Sequence, residues 1–394
     1  MISVSEARQL VVDHTQPLHP VQLPLKAARG LVLATPVLAP IDLPVFNNSA
    51  MDGYAVSGLD AGSWNVVGEV QAGADASAVE LKPGEAVRIF TGAPTPQSAE
   101  AVIMQEHVQR EGDSIQLTHD APKPGQHIRK QGEELRTGEV GLHNGSLLTP
   151  AALGFLAMLG QHTANVRPRP RVHLVTTGNE LVEPGQPLGP GQIYESNSVA
   201  LGAAAERAGA QPLKKFTATD DLEATRDALR AALAEADVLL VSGGISVGDY
   251  DFVEDALAAV GVGKVFHKVR QRPGKPLFFG KQGQKLVFGL PGNPASARVG
   301  CYESVYPALR KLMGHQKLRL HTVQLPLLHP YKKKPGRAWF VRAFMSAEGV
   351  KSLEGQGSHM MGSFAHANAL MFLPAEVGEL EAGAMVEVHL LPRD

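Results

Sequence analysis

The sequence is poor in cysteine and in net charge, and each shortage excludes a class of protein. Cys301 is the only cysteine among 394 residues, so an intrachain disulfide is impossible and a cysteine-based zinc site is not expected. The formal net charge is only −2, which gives no reason to expect nucleic acid or an acidic membrane as the main partner. Any anion-binding site must therefore be a local feature of the chain.

Long hydrophobic runs are also missing. No apolar stretch approaches the roughly 18 residues that a membrane-spanning helix needs. The first residues, MISVSEARQLVV, lack the basic region and apolar core of a signal peptide. Together with the shortage of cysteine, this favours a cytoplasmic protein. Glycine and proline, by contrast, are abundant at 41 and 28 residues, and they indicate many turns and short strands.

The first part of the chain predicts two helices on either side of a β-rich module. Ser3 to Glu6 form a capping box that opens a helix to about Asp13. Thr149 and Pro150 open a second helix that ends near Gly160. Short β-type runs lie between the helices, with a hairpin turn at 111–113. We expect the two helices to pack together, and NVRPRPR at 165–171 to be a linker.

Strand and helix patterns alternate after this linker, and short β-type runs return near the end of the chain. Such alternation predicts a doubly wound, mostly parallel α/β sheet. The predicted fold class is therefore α/β plus β. It comprises a discontinuous helical and linker domain (1–44 and 136–170), an inserted β-rich domain (45–135), the central α/β domain (171–315) and a small C-terminal β domain (316–394).

The loops that follow the predicted α/β strands carry the polar residues. Ligands of open α/β sheets bind beyond the carboxyl ends of the strands. The loops are TTGNE (176–180), TDD (219–221), SGGISVGDYD (242–251), RQRPGKP (270–276) and PGNP (291–294). Glycine turns let backbone N–H groups approach a phosphate. Carboxylates suit Mg²⁺, and the cations Arg270, Arg272 and Lys275 would attract an oxyanion.

Each loop also has a purely structural interpretation. The glycines Gly178, Gly243 and Gly244 would allow positive φ in tight turns. Asp220 and Asp221 would cap the helix that begins near Leu222. It is the convergence of the loops at one edge that favours a site, with a phosphate-bearing ligand, a divalent metal and a second anion.

One of these loops contains a competing motif. Gly244-Ile245-Ser246-Val247-Gly248 matches the nucleophile elbow of α/β-hydrolases. A hydrolase also needs an upstream HGGG-type loop, which the sequence lacks, and Asp249 and Asp251 would oppose an oxyanion beside Ser246. We therefore interpret the glycines as a backbone cradle and Ser246 as a turn hydroxyl that contacts phosphate, with the functional side chains at Asp249 and Asp251.

A set of longer motifs resembles one known family, the MoeA family of molybdopterin molybdenumtransferases, which includes the E domain of gephyrin. The resemblance extends over nearly the whole chain. Its motifs are PVFNNSAMDGYAV (44–56), RIFTGAPTP (88–96), VTTGNEL (175–181), YESNS (194–198), VSGGISVGDYDF (241–252), RPGKPLFFG (272–280), GLPGNPASA (289–297) and GSHMMGSFAHANAL (357–370).

The resemblance implies a molybdenum insertase. Adenylylated molybdopterin and molybdate are the expected substrates, and Mg²⁺-dependent hydrolysis is expected to release AMP. The family also implies a homodimer whose cleft joins the β-rich domain of one subunit to the α/β domain of the other. The molybdopterin adenylyltransferase is a candidate partner.

Matching positions supply the expected site residues. The catalytic residues are expected to be Asp52, Thr91, Glu180, Asp220 and Asp251, of which Glu180, Asp220 and Asp251 would also hold Mg²⁺. The substrate-binding residues are expected to be Gly243, Gly244, Ser246, Asp249, Lys268, Arg272, Lys275, Pro291, Pro294, Ser296, Arg337, Arg342 and Ser358, the two arginines Arg337 and Arg342 and Ser358 as molybdate contacts.

Three positions depart from the family pattern. Arg272 stands where lysine is frequent, so that a bidentate fork replaces a point charge. Glu134 follows Glu133 where the family has a GED-type acid. Glu195 would add a negative charge near the ligand edge.

Two other functions compete with the insertase. The α/β domain alone resembles molybdopterin adenylyltransferases, but those are compact single domains without flanking β modules. A gephyrin E domain also anchors receptors, but no long linker or partner-binding tail is evident in this sequence.

Overall fold

The computed structural model describes residues 1–245 and 252–392. A π-helical turn, Cys301–Val305, joins two α-helices into one continuous segment, and short 3-10 turns occur at Leu59–Ala61 and Gln105–His107. In this part of the chain no helix has the length and apolar character needed to cross a membrane. The α-helices are Val4–Asp13, Pro150–Met158, Asn197–Arg207, Leu222–Glu235, Val253–Ala259, Pro294–Gly300, Tyr306–Leu312 and Gly362–His366.

The central sheet has six strands. The first four strands in its spatial order are mutually parallel, and the last two pair antiparallel. Two successive antiparallel pairings restore the direction, so the sixth strand runs the same way as the first four. The spatial order is Lys214–Ala218, Val172–Thr177, Val238–Ser242, Lys285–Leu290, Phe278–Gln282 and Gly263–His267.

Helices cover both faces of this sheet, which confirms the doubly wound prediction. Helix Asn197–Arg207 and the segment from Pro294 to Leu312 share one hydrophobic core with one face. Helices Leu222–Glu235 and Val253–Ala259 form the core on the other face. Because both faces are covered, Val172–Thr177 and Val238–Ser242 are buried along their whole lengths, as expected of strands in parallel sheets.

The strand Phe278–Gln282 was not predicted. Its residues follow the proline-rich RPGKP segment directly, and this loop obscured the start of a strand. The strand Gly263–His267 ends where Lys268 adopts a left-handed φ of 70°.

The β-rich module contains a six-stranded sheet of mixed direction. Its only parallel pair among the described strands joins Ser63–Val70 to Glu85–Ile89. The predicted hairpin turn is confirmed, with Gly112 at a φ of 63°. The strand order is Ala101–Met104, Gly53–Val56, Glu85–Ile89, Ser63–Val70, Ser114–Leu117 and Val108–Glu111, and the small ladders Asn48–Ser49 with Ile128–Arg129 and Val37–Leu38 with Val140–Leu142 lie beside it.

Both predicted N-terminal caps are confirmed, but the packing of the two helices differs from the prediction. Ser3 caps the first helix in a full capping box, and Thr149 caps Pro150–Met158. The two helices do not share a core. Val4, Ala7 and Val11 of the first helix pack in the core of the central domain, whereas Pro150–Met158 packs in a separate cluster.

The predicted linker at 165–171 is partly wrong. Its first residues belong to the strand Thr163–Arg167, which pairs with Val21–Pro24 and Val32–Leu33. Buried Ala164 and Val166 alternate with half-buried polar neighbours along this strand. Such alternation is typical of a strand, and the arginines and prolines that follow it obscured the pattern.

The C-terminal sheet takes one strand from the central part of the chain. Gln271–Arg272 pairs parallel with Ala338 and Trp339 at the edge of this sheet. The strand order is Gln271–Arg272, Ala338–Met345, Ala369–Leu373, Met385–Leu390 and Thr322–Pro326, with Val350–Ser352 beside Ala338–Met345, and the remaining short pairs are Tyr331–Lys332 with Glu379–Leu380 and Leu181–Val182 with Ile193–Tyr194.

A buried charge cluster joins the first helix, the π-turn and the C-terminal sheet. Arg8 pairs with Glu303, and the ring nitrogens of His389 lie 2.7 Å from carboxylate oxygens of Glu303 and Glu387. Ionised carboxylates only accept hydrogen bonds, so a ring that satisfies both is the doubly protonated imidazolium. Burial opposes this charge, but Glu303 outweighs it and raises the pKa of His389.

The carboxyl of Glu303 shows the complementary shift. Burial disfavours its ionised form, but His389 and Arg8 outweigh burial, and the pKa of Glu303 lies below its usual range. His389 thus stabilises the fold below its unfolded pKa near 6.5, and this contribution is lost as pH rises through the raised folded pKa. Glu303 stabilises the fold above its unfolded pKa near 4.5, and this contribution is lost as pH falls through the lowered folded pKa.

Glu303→Gln should therefore lower the free energy of unfolding by about 3–5 kcal/mol, because it leaves two buried cations without their shared carboxylate. The variant should also lose less stability than the wild type as pH rises from about 6 to about 9. Thermal unfolding across this range tests both effects. The exposed Glu381→Gln serves as the control, and parallel pH profiles for wild type and Glu303→Gln would contradict the assignment.

Candidate functional site at the carboxyl edge of the central sheet

Four of the five predicted polar loops begin at one edge of the central sheet, where the sequence placed them. Thr176 lies opposite Ser242, and Ser242 lies opposite Leu290, in adjacent parallel strands. Thr177 lies opposite Ala218 on the other side. The ends of these four strands are therefore level, and the loops that follow them surround a common space.

That space is a cleft of about 630 Å³. It is polar, and its lining includes three acidic side chains and one histidine but, in the part of the chain that the structure describes, neither lysine nor arginine. The lining residues are Thr177, Gly178, Glu180, Leu181, Ile193, Tyr194, Glu195, Ser196, Asn197, Asp220, Ser242, Gly243, Gly244, Gly292, Asn293, Pro294 and His359.

The turn after Ser242 requires glycine, both for its backbone conformation and for the space around it. Gly243 and Gly244 have φ values of 100° and 57°. A Cβ on Gly243 would lie 2.7 Å from the carbonyl oxygen of Thr177, and one on Gly244 would lie 2.6 Å from Cγ2 of Val253. The structural interpretation of these glycines is confirmed. The N–H of Gly243 donates to the carbonyl of Leu290 at 3.2 Å, so this N–H is occupied within the protein.

Three predicted site residues lie outside the described residues. Ser246, Asp249 and Asp251 fall within 246–251, between Ile245 and Phe252. Their assignment as phosphate contact, acid and metal ligand stays a prediction, as does the rejection of the nucleophile elbow.

Two predicted metal ligands are brought together in the cleft. Glu180 and Asp220 both line it. Asp220 Oδ2 accepts from the N–H of Asn179 at 3.1 Å, and the N–H of Asp220 donates to Asn179 Oδ1 at 3.3 Å. This reciprocal pair links the loops that carry the two carboxylates. Glycine at position 178 leaves space for the Glu180 carboxylate, since a Cβ on residue 178 would lie 2.6 Å from Glu180 Oε2.

The neighbouring Asp221 has a structural role. Its carboxylate accepts from the N–H of Ala224 at 2.8 Å and caps helix Leu222–Glu235. The capping interpretation thus holds for Asp221 but not for Asp220. Within residues 1–245 and 252–392, no group of three or more His, Cys, Asp or Glu side chains could hold a metal ion. Glu180 and Asp220 alone would suit a cation whose other ligands are water and phosphate.

The charge of Glu195 is compensated inside the protein. Its carboxylate accepts from the N–H of Ser198 at 2.9 Å and from Lys215 at 3.1 Å. Burial raises the pKa of this nearly inaccessible group, but the bonds from Ser198 and Lys215 outweigh burial and the pKa is lowered. The expected extra negative charge at the ligand edge is therefore neutralised by Lys215, which also contacts Glu183.

Sequence reasoning missed Asn197. This first residue of helix Asn197–Arg207 is 9 % exposed. Its Nδ2 donates to Ser242 Oγ at 2.7 Å and to the carbonyl of Gly292 at 2.8 Å. The only signal of Asn197 in the sequence is its place in the YESNS motif.

The predicted cationic loop does not line the cleft. Arg272 is exposed and stacks over the ring of Trp339 at 4.3 Å. Lys275 is exposed, and Lys268 is half-buried in its left-handed conformation. These cations lie where the central domain meets the C-terminal sheet, because Gln271–Arg272 is a strand of that sheet.

Arg342 is buried and organises the loop that carries Ser358. Its Nη2 donates to the carbonyls of Gly355 and Gly357 at 2.6 and 3.0 Å, and its Nε donates to Ser363 Oγ. Burial lowers the pKa of Arg342 to about 10. Its Nη1 is buried and has no hydrogen-bond partner among the described residues. Arg337, by contrast, is exposed.

The loop held by Arg342 reaches the helix at the edge of the cleft. The carbonyl of Ser358 accepts from the N–H of Ala295 at 3.1 Å, and His359 lines the cleft itself. Pro291 and Ser296 are buried beside this helix start, and Pro294 lines the cleft as its first residue.

Asp52 and Thr91 form a pair in the β-rich module. Asp52 Oδ1 accepts from the N–H and the hydroxyl of Thr91 at 2.7 and 2.8 Å. These two bonds lower the pKa of Asp52. Both residues are exposed, and neither lines the described cleft of its own chain.

Comparison with known proteins gives three consecutive family matches. Residues 2–160 match the MoeA N-terminal region (domain I and II). Residues 173–311 match the probable molybdopterin binding domain, and residues 324–391 match the MoeA C-terminal region (domain IV).

Full-length relatives agree with these matches. The chain is 38 % identical to molybdopterin molybdenumtransferase 2 of Mycobacterium tuberculosis, with 98 % of this chain and 99 % of the relative covered. It is 36 % identical to the molybdopterin molybdenumtransferase of Haemophilus influenzae, with 99 % and 100 % covered. The crystal structure of the molybdopterin biosynthesis MoeA protein from Pyrococcus horikoshii superimposes with a TM-score of 0.84 at 29 % identity, covering 99 % of this chain and all of that one. The chain belongs to the MoeA family of molybdopterin molybdenumtransferases.

Proposed function

We propose that this protein is a molybdopterin molybdenumtransferase of molybdenum cofactor biosynthesis that inserts molybdate into adenylylated molybdopterin and releases AMP in a Mg²⁺-dependent step. The proposal is supported first by its full-length relatives, which are molybdopterin molybdenumtransferases. The observation that carries the finer proposal is the charge of the cleft, which is acidic although both substrates are anions.

An acidic cleft binds a polyanion only if a bound cation offsets the repulsion between the carboxylates and the ligand. Glu180 and Asp220 supply hard oxygen donors on two cross-linked loops. Mg²⁺ prefers one or two carboxylates together with substrate phosphates, so this donor set fits the metal. Glu180 and Asp220 would hold Mg²⁺, and when bound it would neutralise phosphate oxygens and polarise the bond that hydrolysis breaks.

The remaining described residues would position the ligand. The glycine turn brings backbone close to the ligand without a side chain in between. Pro294 lines the cleft as the first residue of its helix and would contact the ligand there. The exposed cations Arg272 and Lys275 lie outside this cleft and would attract the second anion, molybdate, together with Arg337 and the loop of Ser358.

We assign Asp52 and Thr91 to the cleft of a partner subunit in a homodimer. Their own chain leaves both exposed and away from its cleft. Apolar side chains are exposed on both proposed partners of this contact. Val45 and Phe46 precede the Asp52 loop and are 47 % and 41 % exposed, and Ile193 and Tyr194 at the cleft are 55 % and 48 % exposed. Burying such a surface would stabilise a dimer.

The two hydrogen bonds from Thr91 hold the Asp52 carboxylate in place and bear on its role in this site. A carboxylate that Thr91 holds ionised is a weak proton acceptor near neutral pH. Asp52 would therefore orient the attacking water by accepting a hydrogen bond, rather than remove its proton before attack. The protein is expected to act in the cytoplasm, with the molybdopterin adenylyltransferase as the supplier of its substrate.

Asp220→Asn should lower molybdate-dependent AMP release by about 100-fold at low Mg²⁺ and by less at high Mg²⁺, because a neutral ligand weakens metal binding without removing the loop contact. AMP release measured over a Mg²⁺ titration tests this shift. Asp227→Asn, the same change on the exposed face of the adjacent helix, should leave the titration unchanged. An unchanged Mg²⁺ requirement for Asp220→Asn would contradict the metal assignment.

Mixing two impaired variants at low Mg²⁺ tests the shared site. If Asp52 acts in the cleft of the partner, a heterodimer of Asp52→Asn and Asp220→Asn contains one site with both changes and one intact site. Random mixing gives half heterodimers, so about a quarter of wild-type activity should return. The control is each variant mixed with itself at the same low Mg²⁺ concentration, which should show no recovery of activity. Absence of recovery after demonstrated subunit exchange would contradict the shared site.

A further inference from the structure

We propose that Asn197 is a positioning residue that sets the spacing between the glycine turn after Ser242 and the PGNP loop, and so shapes the cleft for its ligand. This inference rests on the proposed function for its kinetic consequence only. Asn197 does not need to touch the reacting atoms, because it acts through two loops that line the cleft.

The first observation is geometric. Asn197 Nδ2 uses one amide group for two bonds, to Ser242 Oγ at 2.7 Å and to the Gly292 carbonyl at 2.8 Å. Ser242 and Leu290 are opposite each other in neighbouring strands, so Asn197 joins the last paired residue of one strand to Gly292, two residues beyond the last paired residue of the other. Both partners are acceptors here, and an amide NH₂ is the side-chain group that offers two donors on one atom without a charge.

The second observation is the close approach of the two loops. A Cβ on Gly292 would lie 3.7 Å from the Cα of Gly243. The N–H of Gly243 is bonded to the carbonyl of Leu290 at 3.2 Å. The loops are therefore joined by a backbone bond on one side and by the Asn197 side chain on the other. Two bonds fix a separation and a relative rotation that one bond would leave free.

The third observation is that Asn197 is itself held in place. Ser196 provides no side-chain cap for helix Asn197–Arg207. Glu195 takes this role instead, accepting from the N–H and the hydroxyl of Ser198. Lys215 neutralises Glu195 from the adjacent strand. The start of the helix, and with it the Cα of Asn197, is thus tied to strand Lys214–Ala218 as well.

These contacts form one chain across the edge of the sheet. It runs from Lys215 through Glu195 and the helix start to Asn197, and from there to Ser242 and Gly292. It links loops that follow three different strands, and the members Glu195, Asn197, Ser242 and Gly292 all line the cleft. A ligand that bridges these loops meets a surface whose spacing is set before it binds, which lowers the ordering cost of binding.

Asn197→Asp tests this role because the change is isosteric but replaces the double donor with an acceptor. We expect kcat/KM for molybdate-dependent AMP release to fall by about 10- to 100-fold, since small misplacements at a binding site have effects of this size. The affinity for AMP alone, measured by calorimetry, should fall as well. Asn165→Asp is the matched control, because Asn165 bonds Thr35 outside the cleft, and it should leave both quantities unchanged.

A double-mutant cycle separates positioning from general destabilisation. Ser242→Ala should lower kcat/KM by about 5-fold alone but by less than about 2-fold in an Asn197→Ala background, because the shared bond is already absent. Equal effects of Ser242→Ala in both backgrounds would show that the two residues act independently and would overturn the proposal.

Hydrogen exchange decides the inference without any activity. In Asn197→Asp, amides of peptides within 238–245 and 286–293 should exchange at least about 5-fold faster, while peptides of the β-rich module within 53–56 and 85–89 keep their wild-type rates. Faster exchange throughout the molecule, or no change at these two loops, would overturn the proposal. If wild-type protein releases no AMP, the proposed function fails, and the exchange result still decides whether Asn197 sets the spacing of the loops. Wild-type kcat/KM in Asn197→Asp would also overturn it.

Discussion

The level ending of the four parallel strands is the constraint on which the rest of the site depends. A one-residue slip would reverse the facing of every side chain in a strand, and burial of both faces opposes such a slip. The register Thr176 to Ser242 to Leu290 therefore fixes where each polar loop begins. The ends of the strands therefore determine where the carboxylates, the glycine turn and the PGNP loop lie.

The charge at this edge differs between the cleft and the C-terminal sheet. The cleft is lined by acids and by backbone, whereas the exposed cations follow the short strand Gln271–Arg272 at the C-terminal sheet. A phosphate ligand in the cleft would depend on a divalent cation, while an oxyanion beside Arg272 would meet fixed positive charge directly. Two anions bound in this way would lie at separate places, each with its own source of positive charge.

Much of this arrangement could be predicted from the sequence because it depends on local patterns. The caps at Ser3 and Thr149, the turn at Gly112 and the parallel strands follow from residue type and spacing. The long motifs also identified the family. The distant partners of Asn197 and Glu195 could not be predicted, because hydrogen bonds between residues 20 to 95 positions apart leave no periodic pattern in one sequence.

Two other features, of which only the first differs from its prediction, have the same physical origin. The packing of the first helix depends on contacts with residues near 300, and the burial of Arg342 depends on a loop that follows it in the chain. The side chain of Arg342 is buried and bonded to carbonyls, and its assignment as a molybdate contact stays a prediction. Tertiary structure decides such cases, and residue type alone does not.

The strand Gln271–Arg272 has a mechanical consequence. It is hydrogen-bonded into the C-terminal sheet, and only five residues later the chain enters Phe278–Gln282 of the central sheet. Pro273 and Pro276 lie in this short connection, and proline restricts backbone rotation. Because this connection is short and stiff, it allows little rotation of one sheet relative to the other. The two sheets should consequently move together, so that a displacement of the C-terminal sheet would also displace the edge that carries Lys275.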